Sequence, residues 1–356
     1  MEHTHIIDQL NTTKGSALLG IDGMVDEVWE LIASRTDQST FTKMARMMDF
    51  GDVINQRKTG GMAIERVLKR RISGGFVCNT GRAVAKLGQE TTLLGLFGTP
   101  TIEPIFHEFD QLASLVSLGP SVNMHLLEFA DGKIMMPNLQ NLFSLQWKTV
   151  VDTLGQETVD QLLNVDVVGI GYWSNMYDFE AVLQGVVTSC VGNGKTKRIF
   201  HDFANLNKRT REALTLALET LQTQDKILPQ TLSLNEHEGG ILAGEYDLPY
   251  PADVNHVETW QQVFETVCAL RERIDIDELI VHTSHYAVIA TATQGAWVSF
   301  QKFCQSPVKT TGAGDTFNGG YMVASMMNLS PQERLLMANA TTHCYVSTGE
   351  APPPPP

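Results

Sequence analysis

Several residue types and patterns are scarce in this sequence, and each scarcity argues against one class of protein. The chain has only five cysteines in 356 residues, with no CxxC pair, which argues against a disulfide-built secreted domain and a thiolate metal site. No apolar run reaches membrane-spanning length, and the first residues lack the basic and then apolar pattern of a signal peptide. Lys and Arg number 26 against 40 Asp and Glu, and the net charge of −14 argues against nucleic acid or an anionic membrane as a partner. We therefore expect a cytoplasmic protein with reduced, mostly buried thiols.

What the chain does carry is a regular alternation of strand-like and helical segments. Apolar runs at 16–21 and 91–98 predict two early strands. Further strands are predicted at 165–171, 198–203, 231–234, 279–282 and 287–292. Helices are predicted between them at 179–191, 208–221 and 260–273. Strands that alternate with helices of this length predict an α/β fold with a central, mainly parallel sheet and helices on both faces.

Two regions interrupt this alternation. Residues 27–72 are mixed in character, with an amphipathic helical pattern around 41–54, and could form a lid or a covering subdomain. The Asp-Gly dipeptide at 131–132 separates strand-like runs at 124–129 and 133–136, which predicts a β-hairpin. Because the hairpin departs from the β/α order, we expect it in a separate small sheet.

The most informative stretch has the sequence KTTGAGDTFNGG, at 309–320, and leads into a helical pattern. Small residues at Gly312, Ala313 and Gly314 allow backbone N–H groups to approach an anion, and the next helix adds the positive end of its dipole. Asp315 at the junction could accept a proton from a hydroxyl held in front of the loop. An anion site beside a base suits phosphoryl transfer to an alcohol. The alternative is a glycine-rich turn with Asp315 as an ordinary helix cap.

A second group of residues is expected to hold the alcohol. Asp26 follows the first strand, at the edge where ligands bind in open α/β sheets. Gly74 and Gly75 would let backbone approach a ligand, and Asn79, a helical turn later, could hydrogen-bond a hydroxyl. For each of them a turn, a cap or a loop-to-helix junction is the alternative.

Two more pairs of polar residues fall at or near element boundaries. Asn235 follows a predicted strand and Glu238 stands three residues later, so together they could orient waters around Mg²⁺. The alternative is an Asn cap with a Glu in the first helical turn. Asn339 and His343 lie four residues apart on one face of the last predicted helix, which could border a nucleotide or pack against other elements.

In their order along the chain, these motifs resemble the signatures of the PfkB family of carbohydrate kinases, the ribokinase-like group of sugar and nucleoside kinases. The motifs that carry the resemblance are Gly74-Gly75 with Asn79, Asn235-x-x-Glu238, and TTGAGDTF at 310–317. The resemblance implies a ribokinase-like α/β fold with a small β lid over the substrate. It assigns residues 1–26, 74–120 and 137–350 to the core, and 27–73 and 121–136 to the lid. The proline run within 351–356 cannot be helical and is expected to form an extended tail.

The same resemblance implies a function, the transfer of the γ-phosphate of ATP to a hydroxyl of a sugar or nucleoside. It makes Asp315 the general base and Gly312, Ala313 and Gly314 the anion hole. The residues that would hold the acceptor are Asp26, Gly74, Gly75 and Asn79. The residues that would border the nucleotide are Asn235, Thr283, Thr310, Asn339 and His343. Asn235 and Glu238 would hold Mg²⁺ through water.

The chain also departs from the family pattern. Lys309 stands where the family usually has an Asp that helps to bind a monovalent cation, and its ammonium could take the place of that cation. The segment around Thr283 is faintly similar to that of ADP-dependent sugar kinases, so ADP is the alternative donor. The residues beside Asn79 are larger than is usual near a sugar, which leaves the acceptor open between sugar and nucleoside. A catalytically silent binding protein is a further alternative, and an exposed lid edge would favour a homodimer.

Overall fold

The structure, a computed structural model, describes residues 4–57, 59–254 and 256–353. Its strands are β1 (Ser16–Gly20), β2 (Met24–Arg35), β3 (Phe41–Lys43), β4 (Arg66–Gly74), β5 (Glu90–Gly95), β6 (Ser114–Ser117), β7 (Val122–Phe129), β8 (Gly132–Pro137), β9 (Val167–Gly171), β10 (Arg198–Asp202), β11 (Gln230–Asn235), β12 (Glu278–His282), β13 (Tyr286–Thr291) and β14 (Ala296–Phe300). Its helices are α1 (Thr4–Thr12), α2 (Met47–Asn55), α3 (Gly75–Lys86), α4 (Gln140–Phe143), α5 (Trp147–Leu154), α6 (Gln156–Leu162), α7 (Phe179–Asn193), α8 (Arg211–Asp225), α9 (Glu236–Glu245), α10 (Trp260–Ile274), α11 (Ala313–Met326) and α12 (Pro331–Thr348).

The larger of two sheets has nine strands in the order β14-β13-β12-β11-β10-β9-β1-β5-β6. The seven strands from β12 to β6 run parallel, and β13 and β14 complete one edge in antiparallel pairing. Strands β1 and β9 are buried along their whole length, because helices cover both faces of a parallel sheet. This arrangement confirms the predicted mainly parallel α/β core.

Each face of the large sheet carries its own hydrophobic core. On one face, α7, α8 and α10 contribute apolar side chains that are fully buried, among them Leu183, Leu221 and Leu270. On the other face, α3, α11 and α12 contribute a second set, among them Phe76, Tyr321 and Leu335. Helices α3 and α11 therefore stand side by side on one face, which brings the Asn79 and Asp315 regions together.

The second sheet has five strands and consists of β2, β3, β4, β7 and β8. Strand β2 lies between β4, in antiparallel pairing, and β7, in parallel pairing. Strands β7 and β8 form the predicted hairpin, with Phe129 opposite Gly132. The strands of this sheet fall within or close to the two segments expected to form the lid, while the division of the chain into core and lid stays a prediction.

Three details differ from the sequence-based expectations. Strand β2 begins at Met24, so Asp26 lies on a strand of the second sheet and not in a turn of the core. The helix expected over 41–54 begins only at Met47, because Phe41–Lys43 pairs with β2 as β3. Strand β4 gave no sequence signal, since its residues up to Arg71 are mostly exposed and polar on both faces.

The composition led to expectations about the cysteines and about membrane-spanning segments, and the structure can be compared with both. All five cysteines are free thiols, of which Cys78 and Cys190 are buried and the other three are only partly buried, so the expectation of mostly buried thiols was too strong. Among the residues that the structure describes, no helix combines the length and the apolar character needed to cross a membrane.

Candidate active site

A cleft of about 900 Å³ separates the second sheet from the ends of the core strands. Its walls include Asp202, Asn235 and His282, which are the last residues of β10, β11 and β12. Met24 and Met124 of the second sheet form part of the opposite wall. This is the edge at which open parallel sheets bind ligands, because side chains from neighbouring strands converge there.

Most of the residues selected from the sequence line this cleft. They are Asp26, Gly75, Asn79, Asn235, Glu238, Thr283, Thr310, Gly312, Ala313, Gly314, Asp315 and His343. Gly74 and Asn339 do not line it. Residues up to 317 positions apart in the sequence (Asp26 to His343) therefore share one chamber.

Asp315 is the third residue of α11, and its carboxylate is fixed on both sides. The Tyr172 hydroxyl donates a hydrogen bond to Oδ1 at 2.8 Å, and the Asn79 amide donates to Oδ2 at 2.9 Å. Burial raises the pKa of Asp315 to about 6, while these two hydrogen bonds and the positive charge of Arg82 act in the opposite direction. The carboxylate is thus ionised at neutral pH and can accept a proton.

The loop before α11 turns the backbone toward the cleft. Gly312 has φ of +84°, a left-handed conformation that favours glycine. The Gly312 carbonyl accepts the Thr316 amide, so α11 begins directly after it. The Ala313 amide, expected in the anion hole, donates instead to the Thr310 carbonyl at 3.1 Å. The first-turn amides of Gly314 and Asp315, which a helix leaves without intrahelical acceptors, are the better candidates beside Gly312.

Asp26 lines the cleft and has a carboxylate oxygen without a donor among the described residues. Its side chain is buried, and Oδ1 has no hydrogen-bond partner among the residues that the structure describes. Burial raises the pKa of Asp26 to about 6, and the nearby Lys133 lowers it. A buried carboxylate oxygen without a donor is a position that a ligand hydroxyl can fill.

The di-glycine makes room for two aspartates. A Cβ at Gly74 would lie 2.5 Å from Oδ2 of Asp26, and a Cβ at Gly75 would lie 2.6 Å from Oδ2 of Asp22. Asp22 does not line the cleft: it is fully buried and accepts the amides of Phe76 and Val77, both at 2.9 Å. Gly74 therefore packs against Asp26, and Asp22 caps the start of α3.

Asn235 and Glu238 form a complete capping box at the start of α9. The Asn235 side chain accepts the amides of His237 and Glu238, and Glu238 accepts the Asn235 backbone and side-chain N–H groups. The capping role considered from the sequence is therefore real, and both residues still line the cleft. Burial raises the pKa of Glu238 to about 7, and the charge of Asp315 adds to the shift.

The residues expected to border the nucleotide have different surroundings. Thr283 lines the cleft, but its hydroxyl accepts the His285 and Tyr286 amides at 3.1 Å and so builds the turn between β12 and β13. Thr310 and His343 line the cleft. Asn339 lies one helical turn before His343, where β14 covers α12, and its amide donates to the Ser299 carbonyl. Because it is 2% exposed and absent from the cleft wall, Asn339 cannot contact a nucleotide there.

Sequence reasoning missed several residues of the cleft. Tyr172 and Asp202 stand at the ends of β9 and β10. Asp26 was selected because a polar residue after a parallel strand lies at the ligand-binding edge, and the same rule could have found both of these residues. Lys133 and Lys208 also line the cleft, from β8 and from the loop after β10. A segment at 301–305 closes one side and gave no recognisable signal in the sequence.

Comparisons of this chain with known proteins find similarity to sugar and nucleoside kinases, both in sequence and in structure. The model of the prokaryotic ketohexokinase family matches residues 7–355. The ketohexokinase of Haloferax volcanii is 26% identical over 343 residues, covering 95% of this chain and 88% of that protein. Ribokinase of Arabidopsis thaliana, solved with ribose and ATP, gives a TM-score of 0.65 at 16% identity and covers 96% of this chain and 95% of its own. Adenosine kinase of Sinorhizobium meliloti gives 0.65 at 16% identity, with 96% of each chain covered.

The structural neighbours confirm the ribokinase-like fold expected from the sequence. The family match extends over nearly the whole chain and confirms the resemblance to PfkB-type carbohydrate kinases. The protein is therefore an enzyme, a phosphotransferase that acts on an alcohol group of a sugar. On these grounds, the chain belongs to the prokaryotic ketohexokinase family.

Proposed function

We propose that this enzyme transfers the γ-phosphate of ATP to a hydroxyl of a ketohexose. The family match and the similarity to the Haloferax volcanii ketohexokinase support a ketohexose within the wider class of sugar acceptors. A ribokinase of the same fold was solved with ribose and ATP, which supports ATP as the donor. A cytoplasmic location and a homodimer formed through the lid stay predictions.

One observation carries this proposal: Asp315, at the first turn of α11, lines the same cleft as Asp26, whose Oδ1 has no hydrogen-bond partner among the described residues. The first feature offers a base beside backbone amides that favour an anion. The second offers an acceptor for a substrate hydroxyl. A site that combines them can hold an alcohol and a phosphate together, as transfer between the two requires.

The residues that line the cleft support the following chemistry. Asp26 accepts a hydrogen bond from one hydroxyl of the sugar and orients the ring. Asp315 takes the proton of the reacting hydroxyl as its oxygen forms a bond to the γ-phosphorus, and the bond between that phosphorus and the β,γ-bridging oxygen breaks to release ADP. The amides of Gly312 and Gly314 and the dipole of α11 offset the charge on the transferred group. The proton ends on Asp315 and leaves to solvent with product.

The donor set of this cleft fits Mg²⁺ held through water. Burial raises the pKa of Glu238 and of Asp202, and the charge of Glu238 raises the pKa of Asp202 further, which is the environment that a cation relieves. Both oxygens of Glu238 already accept hydrogen bonds from Asn235. Among the described residues no group of three or more potential ligands could hold a metal by itself. We infer that the ion enters with the nucleotide, where it would neutralise phosphate charge, and that Asn235 and Glu238 orient its waters.

The two alternatives from the sequence rest on weaker observations. The segment around Thr283 suggested an ADP-dependent enzyme, but the Thr283 hydroxyl is engaged in a β-turn of its own. A silent binding protein would not need a base, and Asp315 lies in the cleft with its carboxylate held by two donors. The geometry of the cleft therefore favours an ATP-dependent kinase over an ADP-dependent enzyme and over a silent binding protein.

The proposal is tested by measuring phosphoryl transfer with Mg²⁺ and either ATP or ADP as donor. The acceptors are ketohexoses, aldohexoses, pentoses and nucleosides, and the product is identified by mass spectrometry. We expect turnover with ATP and a ketohexose, and its loss in Asp315→Asn. Turnover only with ADP, or a preferred aldose or nucleoside, would overturn the donor or acceptor assignment. If nucleotide raised the melting temperature while no acceptor gave product, the silent binding protein would be favoured.

A further inference from the structure

Tyr172 is the first residue after β9 and contributes directly to the wall of the cleft. Its hydroxyl donates to Oδ1 of Asp315 at 2.8 Å. The ring packs edge-on against Phe76, with centroids 5.9 Å apart, and Phe76 is completely buried. The phenol thus approaches the base from a rigid part of the core.

The second oxygen of Asp315 is held by a different chain of contacts. The Asn79 side-chain NH2 group donates to Oδ2 at 2.9 Å, and Arg82 donates to the side-chain oxygen Oδ1 of Asn79 at 3.2 Å. Arg82 in turn donates to Glu108 at 3.0 Å. Two donors on opposite oxygens fix the plane of the carboxylate, which a single hydrogen bond would leave free to rotate.

We propose that Tyr172 is a positioning residue for the general base: its hydroxyl orients the Asp315 carboxylate and holds it in the ionised form. This inference deepens the proposed function and rests on it. A tyrosine hydroxyl placed 2.8 Å from a carboxylate oxygen donates its only proton there, so the interaction favours the charged form of the acid.

The surroundings explain why such a donor matters. The titratable and charged groups that face Asp315 or its helix turn are Asp22, Asp26, Asp202, Glu238, Arg82, Tyr172, His282 and Tyr345. The four other carboxylates repel the charge of Asp315, and burial acts in the same direction. Arg82, Asn79 and Tyr172 oppose this, so the loss of one donor shifts the balance toward the protonated, inactive acid.

The test compares wild type with Tyr172→Phe, which keeps the ring against Phe76 and removes only the hydroxyl. Single-turnover rates with ATP and a ketohexose are measured from pH 5 to pH 9, so that product release does not mask the chemical step. For wild type the rate should rise through a midpoint near pH 6, since the base must be ionised. In Tyr172→Phe the midpoint should rise by about one pH unit, with a loss of about tenfold below pH 6 and a smaller loss at pH 9.

The controls separate this role from simpler ones. Tyr177→Phe removes an exposed hydroxyl five residues away and should leave both the profile and the rate unchanged. Tyr172→Phe with an unaltered midpoint and rate would overturn the proposal, and so would a drop in melting temperature with the wild-type profile retained. Absence of turnover in wild type would instead contradict the proposed function, so the two failures are distinguishable.

Discussion

Lys133, on strand β8 of the second sheet, donates a hydrogen bond to the hydroxyl of Thr311, in the loop that precedes α11. Lys133 is exposed as a residue, yet desolvation of its ammonium lowers the pKa of Lys133, while the charges of Asp26 and Glu128 raise it. One lysine therefore joins the small sheet to the loop expected to bind the anion, and it stands beside the carboxylate expected to hold the sugar. We expect this contact to help hold the small sheet over the cleft.

We expect Lys133→Met to weaken this link while keeping the length of the side chain. A hydrogen bond from a charged donor contributes about 1.5 kcal/mol, so KM for the sugar should rise about tenfold and kcat should fall. Steady-state kinetics with ATP and the preferred acceptor measure both constants. Lys148→Met, at a side chain that is 79% exposed, is the matched control. Unchanged constants in Lys133→Met would show that the contact does not contribute to closure.

Asp315→Asn removes the base with almost no change in shape. Because general-base catalysis typically contributes 10²–10⁴-fold, kcat should fall by roughly that factor. Nucleotide binding should persist, since backbone amides and the helix dipole, not the carboxylate, attract the phosphates. Isothermal titration with ATP and kcat at saturating substrate test the two statements. Asp152→Asn, at an exposed position, should behave as wild type, and near-normal turnover in Asp315→Asn would remove Asp315 from this role.

Glu238→Gln should raise the Mg²⁺ concentration needed for half-maximal activity. Loss of a group that orients the waters of a metal ion typically costs 10–100-fold in affinity or activity. Glutamine can still accept the Asn235 amide and cap α9, so folding should be retained. Activity is titrated with Mg²⁺ at fixed ATP, and chelation with EDTA should abolish turnover. The control is Glu219→Gln, on the exposed face of α8, and an equal Mg²⁺ requirement in both variants would contradict the assignment.

Lys309 should make the enzyme insensitive to the choice of monovalent cation. Its ammonium lies 5.1 Å from the centroid of the Tyr345 ring, and the Tyr345 hydroxyl donates to the Thr311 carbonyl at 2.5 Å. Burial lowers the pKa of Lys309, and the charges of Arg82 and Arg70 lower it further, so these charges would also repel an additional cation there. Rates in NaCl and KCl at equal ionic strength should agree within twofold. A many-fold increase in K⁺ would show that a separate cation site operates.

A fifth prediction concerns stability and the buried carboxylate of Glu278, which is 2% exposed. It lies 2.8 Å from Arg334 and 3.1 Å from Arg198, and accepts the Tyr321 hydroxyl at 2.6 Å. Glu278→Gln would leave the buried guanidinium of Arg334 without its carboxylate, while Arg198 keeps Asp277, so the free energy of unfolding should fall by about 3–5 kcal/mol. Urea denaturation at pH 7 measures this change. Glu265→Gln, at an exposed position of α10, should alter the free energy of unfolding by less than about 0.5 kcal/mol.

The same variant has a defined pH dependence. The two arginines and the hydrogen bonds hold the pKa of Glu278 below its ordinary value of 4.5, despite its burial. Its stabilising contribution is therefore complete above pH 4.5 and is lost as the pH falls through the lower pKa of the folded state. The difference in free energy of unfolding between wild type and Glu278→Gln should shrink on acidification. A difference that stayed constant down to pH 3 would show that charge is not its cause.

Local patterns in the sequence were enough for much of the architecture. Alternating apolar runs and helical segments predicted the parallel sheet, because strands covered on both faces must be apolar along their length, as β1 and β9 are. The Asp-Gly dipeptide predicted the β7–β8 hairpin for a similarly local reason. Strands β2 and β4 were not predicted, because charged residues in their exposed halves obscure the alternation of apolar and polar residues that is typical of a strand.

The residues of the site also fall into those that local sequence patterns could predict and those that they could not. Gly312 and Asp315 were recognisable because the glycine-rich turn, the aspartate and the start of the helix are neighbours in the sequence, and the backbone geometry of such a turn is set locally. Asn339 was misplaced because helical spacing fixes the face of a helix but not what covers that face, which here is β14. The contacts of Tyr172 and Lys133 with this loop depend on packing between distant segments, and no local pattern records them.

The sequence by itself therefore determined the fold class, and it selected the glycine turn and Asp315 as the expected anion site and base, since each depends on residues that are neighbours in the chain. Only the tertiary structure decided which donors hold Asp315, which oxygen of Asp26 is unpaired and how the small sheet reaches the core. The physical reason is that hydrogen bonds and electrostatic shifts act over a few ångströms of space. The residues that supply them come from strands and helices that only folding brings together.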